Sequence, residues 1–302
     1  MFAIHLPHSA SSHEKRAGTG RKIGIVTIDA HVHLWRLARG DNLALLPSMT
    51  KIYRDRGPAD LRPLLDAAGV ERVVVVQAAW TLAETLFTVG LSARFPWIAG
   101  VVGWVDPLSP SLEEEIAALL LTGALKGIRP VNTDDNRSIG WMLDARFERC
   151  WSLLRDAGLV LDFLLQNPDE VPLVTHFARR HRDLRIVLDH CAKPDIVRQR
   201  FEPWAGDIAE LAKSPNVACK FSGLLNCASP GAGADELRPY AAHVLGSFGA
   251  ERVMWASDWP PLELAADYAA WRRVSLALLA HLAASDRDAI LGGNAARIYR
   301  LS

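Results

Sequence analysis

The chain has 302 residues, and its 34 Lys and Arg balance 34 Asp and Glu to give a formal net charge of zero. This balance excludes the basic surface of a nucleic-acid-binding protein and the polybasic cluster of a protein recruited to anionic lipid. Half of the residues are hydrophobic and 23% are charged, so we expect a globular protein with a large core.

The first 24 residues lack the apolar segment and the cleavage site of a signal peptide, so residues 1–24 are predicted to be a flexible leader. The apolar stretches 116–121 and 275–280 are far shorter than the roughly 20 residues that a membrane span needs. The four cysteines form no CxxC pair, which is typical of free thiols in a reducing compartment. We therefore expect a cytoplasmic protein that binds neither membranes nor nucleic acid.

From residue 25 onward, short hydrophobic runs alternate with polar loops and with stretches of helical spacing. Eight runs are predicted to be strands: 25–33, 72–80, 98–106, 125–131, 159–166, 184–190, 217–223 and 252–258. Most are continuously hydrophobic, as strands covered on both faces of a parallel sheet are. The repeat predicts a single (β/α)₈ TIM barrel, an α/β fold, over residues 25–302.

Helical spacing is clearest at 60–69, 111–123, 147–158 and 236–249, and several of these segments end in a glycine, a common helix stop. A long helix is predicted over 262–283. Residues 285–302 then read as a C-terminal pair of helices broken at Gly292 and Gly293.

The active site of such a barrel lies at the C-terminal ends of its strands, so polar residues at those ends are the candidates. Seven of the eight predicted strands supply at least one: His31, His33, Gln77, Arg129, Gln166, His190, Lys220, Ser222 and Asp258. Four tryptophans at or just past strand ends could stack on a sugar, although core packing explains most tryptophans equally well. They are Trp35, Trp80, Trp104 and Trp259.

The strongest signal is the pair His31 and His33 on the first strand. Residues two apart on a strand point to the same side, so both rings can meet one metal ion or one water molecule. A lone pair of this kind is often structural. Its position at the end of the first barrel strand favours a functional role.

His190 and Asp258 extend this pair. Alone, His190 could equally be a buried core histidine, but a carboxylate that follows an apolar strand, as Asp258 does, rarely lies buried without a partner. Histidine is a natural partner. The four residues together, from strands 1, 6 and 8, predict one site.

Residues 26–302 resemble the amidohydrolase superfamily. The features that carry the resemblance are the four residues above, the segment GIRP at 127–130 and the ending ILGGNAARIYRL at 290–301. Within this superfamily, residues 26–302 resemble the amidohydrolase-2 branch of lactone hydrolases, which includes L-fuconolactonase-like and 2-pyrone-4,6-dicarboxylate lactonase-like enzymes. The resemblance implies that Asp258 is the general base and that His31, His33 and His190 surround the water or the substrate carbonyl. It also implies that Arg129 contacts a substrate carboxylate or hydroxyl.

For the metal, the resemblance leaves two alternatives: no metal, or one divalent ion such as zinc or manganese held by His31, His33 and Asp258. A binuclear centre is disfavoured, because Gln166 stands at the strand-5 end where such members have a histidine. Lys126, three residues before Arg129, points to the other side of its strand and makes a poor bridging ligand.

The expected activity is therefore hydrolysis of a lactone by water, with Asp258 as the base. We expect Gln77, Gln166 and the four tryptophans to bind the substrate together with Arg129 and Lys220. Amides and flat rings favour a sugar 1,4- or 1,5-lactone such as L-fuconolactone, since a dicarboxylate would need more cations than Arg129, Lys193 and Lys220. A lactone isomerase, a metal-dependent decarboxylase and a non-catalytic sugar-binding barrel remain alternatives, and homo-oligomerisation is left open.

Overall fold

The computed structural model describes residues 26–131 and 138–302, so the predicted leader lies outside the described residues. Eight parallel strands pair in chain order, and each falls within or overlaps a predicted run. They are β1 (Ile28–Val32), β2 (Arg72–Val76), β3 (Ile98–Gly103), β4 (Leu125–Ile128), β5 (Val160–Phe163), β6 (Arg185–Leu188), β7 (Val217–Phe221) and β8 (Val253–Trp255).

The sheet closes through the residues that follow β8. The Asp258 amide donates to the His31 carbonyl at 2.9 Å, and the His33 amide donates to the Trp259 carbonyl at 2.7 Å. The predicted (β/α)₈ barrel is confirmed, and the closing hydrogen bonds fix Asp258 beside the histidine pair of β1.

The helices are α1 (Pro58–Ala68), α2 (Leu82–Arg94), α3 (Leu112–Leu121), α4 (Glu148–Asp156), α5 (Val171–Arg180), α6 (Trp204–Leu211), α7 (Ala234–Phe248), α8 (Tyr268–Leu279), α9 (Ala284–Asp288) and α10 (Asn294–Ile298). The helix predicted over 262–283 is too long. A short 3₁₀ turn covers Pro261–Leu264, and α8 starts anew because the Asp267 side chain caps it, accepting from the Ala270 amide at 2.6 Å.

Two layers of hydrophobic core hold the barrel. The outer layer lies between strands and helices, and the inner layer fills the barrel with residues such as Val74, Val160 and Met254. Tyr299 and Ile298 belong to the inner layer, so the C-terminal segment packs inside the barrel end where the strands begin. The Arg185 side chain at the start of β6 donates to the Ile298 carbonyl at 3.1 Å, which fastens this segment in place.

Gly292 does not break the C-terminal helices. A π-helical turn over Ala289–Gly293 joins α9 to α10, and a side chain at Gly292 would collide with the Val26 carbonyl oxygen. Glycine is needed there because the two backbones approach closely. Among the described residues, no helix has both the length and the apolar character needed to cross a bilayer.

Candidate active site

His31 and His33 meet at the mouth of the barrel, where their Nε2 atoms lie 3.0 Å apart. The Nδ1 atom of His33 lies 2.9 Å from the Val76 carbonyl. A carbonyl oxygen only accepts, so Nδ1 carries the proton and the Nε2 lone pair of His33 faces the site. Both rings are buried.

The carboxylate of Asp258 faces all three histidines. Its Oδ1 atom lies 3.3 Å from Nε2 of His33, 3.6 Å from Nε2 of His31 and 3.8 Å from Nε2 of His190. Burial alone would raise the pKa of this carboxyl, but the surrounding histidines outweigh burial and hold the pKa below its usual range. Asp258 is therefore ionised at neutral pH, and its proximity to the reacting groups rather than a raised pKa would make it effective as a base.

His190 is held from its other side. Its Nδ1 atom lies 2.8 Å from the Ser222 hydroxyl at the end of β7. Burial lowers the pKa of His190 to about 4, although Asp258 and Asp189 oppose the shift. The ring is therefore neutral at physiological pH.

Lys220 does not reach the substrate cavity. Its side chain is fully buried, with Nζ 2.6 Å from Asp162 Oδ2, 3.0 Å from Asp189 Oδ1 and 3.0 Å from His31 Nδ1. The ammonium donates to Asp162, hydrogen-bonds His31 and forms an ion pair with Asp189. The expectation that Lys220 binds substrate is therefore corrected, because its ammonium is buried among His31 and two carboxylates beneath the site.

Asp162 and Asp189 are part of the site that sequence reasoning missed. Burial raises the pKa of Asp162 to about 6 despite Lys220, and the Tyr299 hydroxyl donates to its Oδ2 at 2.8 Å. Burial would also raise the pKa of Asp189, but Lys220 and His31 hold it well below its usual range. The sequence signal that could have identified these residues is an acidic residue within or directly after a hydrophobic strand. A carboxylate buried there needs a cation as its partner.

Arg129 lies at the end of β4 and lines the cavity. It donates to the Gln77 carbonyl at 2.7 Å and to Asp189 Oδ2 at 3.3 Å, so its guanidinium is held in one orientation. Gln77 itself is fully buried, and its amide donates to the Arg129 carbonyl at 3.2 Å. Gln77 therefore supports Arg129 from below and does not line the cavity.

A cavity of about 350 Å³ opens above these groups. Its polar lining residues are His33, Asn42, Arg129, Gln166, His190, Lys193 and Asp258. Its apolar lining residues are Trp35, Ala44, Leu45, Met49, Ile52, Ala78, Trp80, Leu164 and Pro261, and five of these, Trp35, Leu45, Met49, Ile52 and Ala78, belong to one packed cluster. Size and lining suit a single small ring with one polar and one apolar edge.

Two of the four candidate tryptophans do not line this cavity. Trp35 and Trp80 do, whereas Trp259 is fully buried and donates to Glu263 at 2.7 Å. Trp104 is buried and donates to the Val131 carbonyl at 3.2 Å. A position at the end of a strand shows at which end of the barrel a residue lies. It does not show where the side chain points, because this depends on packing against neighbouring residues. Sequence reasoning also missed the segment after β1, because its lining residues lie beyond the strand ends from which the candidates were taken.

The donor atoms of His31, His33 and Asp258 fit one metal ion. Zinc ligands about 2.0–2.1 Å from a tetrahedral ion lie roughly 3.3 Å from each other, and the three separations here are 3.0, 3.3 and 3.6 Å. A second group, His31 with Asp189 and His190, is also close enough to bind a metal. In that group, however, the Lys220 ammonium already takes the place of a cation between His31 and Asp189.

The sequence is similar to those of known proteins. Residues 28–301 match the family model described as Amidohydrolase, and the chain belongs to this family. It is 39% identical over 278 residues to an L-fucono-1,5-lactonase of Burkholderia ambifaria, covering 91% of this chain and 95% of that protein. It is 34% identical over 290 residues to an L-fucono-1,5-lactonase of Burkholderia multivorans, covering 92% and 97%.

Solved structures with a similar fold include the following two. An amidohydrolase of Burkholderia multivorans with bound zinc superposes with a TM-score of 0.84 at 33% identity, covering 92% of this chain and 100% of that chain. A putative 2-pyrone-4,6-dicarboxylic acid hydrolase of Pseudomonas putida gives a TM-score of 0.73 at 23% identity, covering 91% and 98%. The second likeness concerns the fold alone.

Proposed function

We propose that this protein is a lactonase that opens a sugar lactone, with L-fucono-1,5-lactone as the preferred substrate. One observation carries the proposal: the ionised carboxylate of Asp258 faces three histidines at the floor of a cavity sized for one small ring. The two Burkholderia relatives named for this lactone support the choice of substrate.

The reaction follows from the position of Asp258. A water molecule beside the carboxylate loses a proton to it while the water oxygen attacks the lactone carbonyl carbon. The ring carbon–oxygen bond then breaks, and Asp258 returns the proton to the ring oxygen. General-base catalysis of this kind typically contributes 10²–10⁴-fold to a rate.

His31, His33 and Asp258 would hold a divalent ion, and a zinc ion bound there would polarise an oxygen and lower the pKa of a bound water. The bond from His33 to the Val76 carbonyl keeps its Nε2 lone pair turned toward that position. The orientation of the His31 ring is fixed by Lys220 Nζ and Asp189 Oδ1, which lie 3.0 and 3.4 Å from its Nδ1 atom. One ion is proposed because Lys220 stands where a second would need to bind.

The polar and the apolar lining residues of the cavity support a deoxy-sugar lactone. The side chains of Asn42, Gln166 and Arg129 can bind ring hydroxyls. Leu45, Met49 and Ile52 form an apolar edge that suits the methyl group of a deoxy sugar. A lactone with two carboxylates would leave one charge against this apolar edge, which is unfavourable.

The test is a hydrolysis screen with a pH indicator. L-fucono-1,5-lactone, L-rhamnono- and D-galactono-lactones and 2-pyrone-4,6-dicarboxylate are compared, with and without chelator and added zinc. We expect L-fucono-1,5-lactone to have the highest kcat/KM. Turnover of the pyrone alone would contradict the sugar assignment. NMR of the products separates ring opening from isomerisation, and released CO₂ would indicate decarboxylation instead.

A further inference from the structure

Four consecutive residues after β6 adopt a left-handed backbone. The φ angles are +53° at His190, +51° at Cys191, +57° at Ala192 and +50° at Lys193. None of the four is glycine or asparagine, the residues that usually occupy this region. Such backbone strain persists only where the surrounding structure enforces it, and it concentrates at functional sites.

The surroundings enforce this turn at several points. The Trp204 indole donates to the Cys191 carbonyl at 2.9 Å, and the Cys191 thiol contacts the Lys220 carbonyl at 3.4 Å. The Lys193 amide donates to the His190 carbonyl at 2.9 Å and closes the turn. The strained conformation is therefore built into the fold.

The left-handed turn places the side chains of His190 and Lys193 in the cavity lining. Residues three apart in a helical turn lie on the same face, and both His190 and Lys193 line the cavity. If β6 continued as an extended strand, the side chains of His190 and Lys193 would point to opposite faces of the sheet. The turn thus brings a lysine ammonium into the wall that already contains His190 and Asp258.

Lys193 differs from the two other cations at the site. The Lys220 ammonium is buried beneath the cavity, whereas the Arg129 guanidinium lines the cavity and is held by Gln77 and Asp189. Within residues 26–131 and 138–302, the polar contact of Lys193 Nζ is with Gln166 Oε1 at 3.3 Å. An ammonium has three donors, so two remain for a ligand in the cavity.

We propose that Lys193 is a catalytic residue that contacts the lactone carbonyl oxygen, an inference that rests on the proposed lactone hydrolysis. As the water oxygen bonds to the carbonyl carbon, the C=O π pair moves to the carbonyl oxygen and the water proton moves to Asp258. The Lys193 ammonium stabilises this oxygen and keeps its own protons. When the carbonyl re-forms, the ring C–O bond breaks and the proton passes from Asp258 to the ring oxygen.

The test compares K193M with wild type on L-fucono-1,5-lactone, and K213M is the matched control because Lys213 is an exposed lysine away from the cavity. Losing an oxyanion donor typically lowers kcat by 10²–10³-fold. We expect K193M to show about that loss, with KM changed less than roughly threefold, because the oxygen carries its charge only in the transition state. K213M should match wild type.

A second variant excludes misfolding as the cause. K193C is assayed before and after alkylation with 2-bromoethylamine, which rebuilds a lysine-like ammonium on the same folded sample, and wild type treated identically controls for Cys227. We expect alkylation to raise the kcat of K193C at least roughly tenfold.

Three outcomes would overturn the assignment. The first is a K193M variant that keeps more than about a tenth of the wild-type kcat, and the second is a K193M variant whose KM rises while its kcat is unchanged. The third is a folded K193C variant whose kcat is not restored by alkylation. A wild-type protein that opens no lactone in the panel overturns the proposed function itself, and with it this inference.

Discussion

The Lys220 ammonium lies 3.0 Å from Nδ1 of His31, although 189 positions separate the two residues in the sequence. The same ammonium is paired with Asp162 and Asp189, so one cation faces two buried carboxylates and holds a histidine of the site. We therefore expect K220M to destabilise the protein by about 3–5 kcal/mol, since Asp162 loses its cation and Asp189 is left with Arg129. Urea unfolding measures this, and K220M with D162N should recover part of the loss. A single variant as stable as wild type would contradict the ion network.

Removal of the Asp258 carboxylate should abolish most of the activity. We expect D258N to keep its fold and to lose about 10²–10⁴-fold in kcat, because the amide cannot accept the water proton. The exposed Asp235 supplies the control variant D235N, which should behave as wild type. Retention of more than roughly a tenth of the turnover by D258N would exclude Asp258 as the base.

Zinc binding should depend on His33. After incubation with zinc and desalting, we expect about one equivalent of zinc on wild type by elemental analysis and much less on H33A, which lacks one of three proposed ligands. Zinc at about 100 times its Kd should also stabilise wild type by about 2.7 kcal/mol. H281A, which removes an exposed histidine, is the control. Equal zinc content in H33A and H281A would place the ion elsewhere.

Gly223 supports His190 and should not tolerate a side chain. A Cβ atom at Gly223 would lie 2.7 Å from the His190 Cβ, at a φ of +72°. Gly231 has a φ of +84°, and no atom lies within 4 Å of a Cβ added there. The variant G231A therefore measures only the loss of stability caused by a side chain at positive φ. We expect G231A to lose about 1–2 kcal/mol with normal activity, and G223A to lose more stability and most of its kcat. Equal behaviour of the two variants in unfolding and in turnover assays would show that His190 tolerates displacement.

Glu84 should make stability depend on pH. Burial raises the pKa of Glu84 to about 7, although the Ala78 amide and Arg39 oppose the shift. The folded state then binds a proton that the unfolded state, with an ordinary pKa of 4.5, has released, so stability falls as pH rises from about 4.5 to about 7 and stays lower above that.

The variant E84Q removes this titration. It should be more stable than wild type at pH 8, by up to about 3 kcal/mol, and show little gain at pH 5. Urea unfolding at intervals between pH 5 and pH 8 tests this. A difference between E84Q and wild type that does not change with pH would contradict it.

The eight strands, the barrel and the positions of His31, His33, His190 and Asp258 could be predicted from the sequence. Continuous hydrophobic runs are a local property, because a strand covered on both faces must be apolar along its whole length. The end of a strand is also a local property, and in a barrel all C-terminal ends meet on one face. Candidate residues could therefore be assigned to that face before any contact was known.

Which side chains enter the cavity could not be predicted from the sequence, because contacts between distant segments set their directions. Lys220 ends a predicted strand as Arg129 does, but two carboxylates from β5 and the end of β6 hold it below the site. The Trp104 indole donates to the Val131 carbonyl, which lies 27 residues away in the sequence, and the Trp259 indole donates to Glu263 in the 3₁₀ turn that follows. Lys193 reaches the cavity through a left-handed turn that its own residues disfavour. Each outcome is set by partners brought together on folding, and their energies do not appear in any local stretch of sequence.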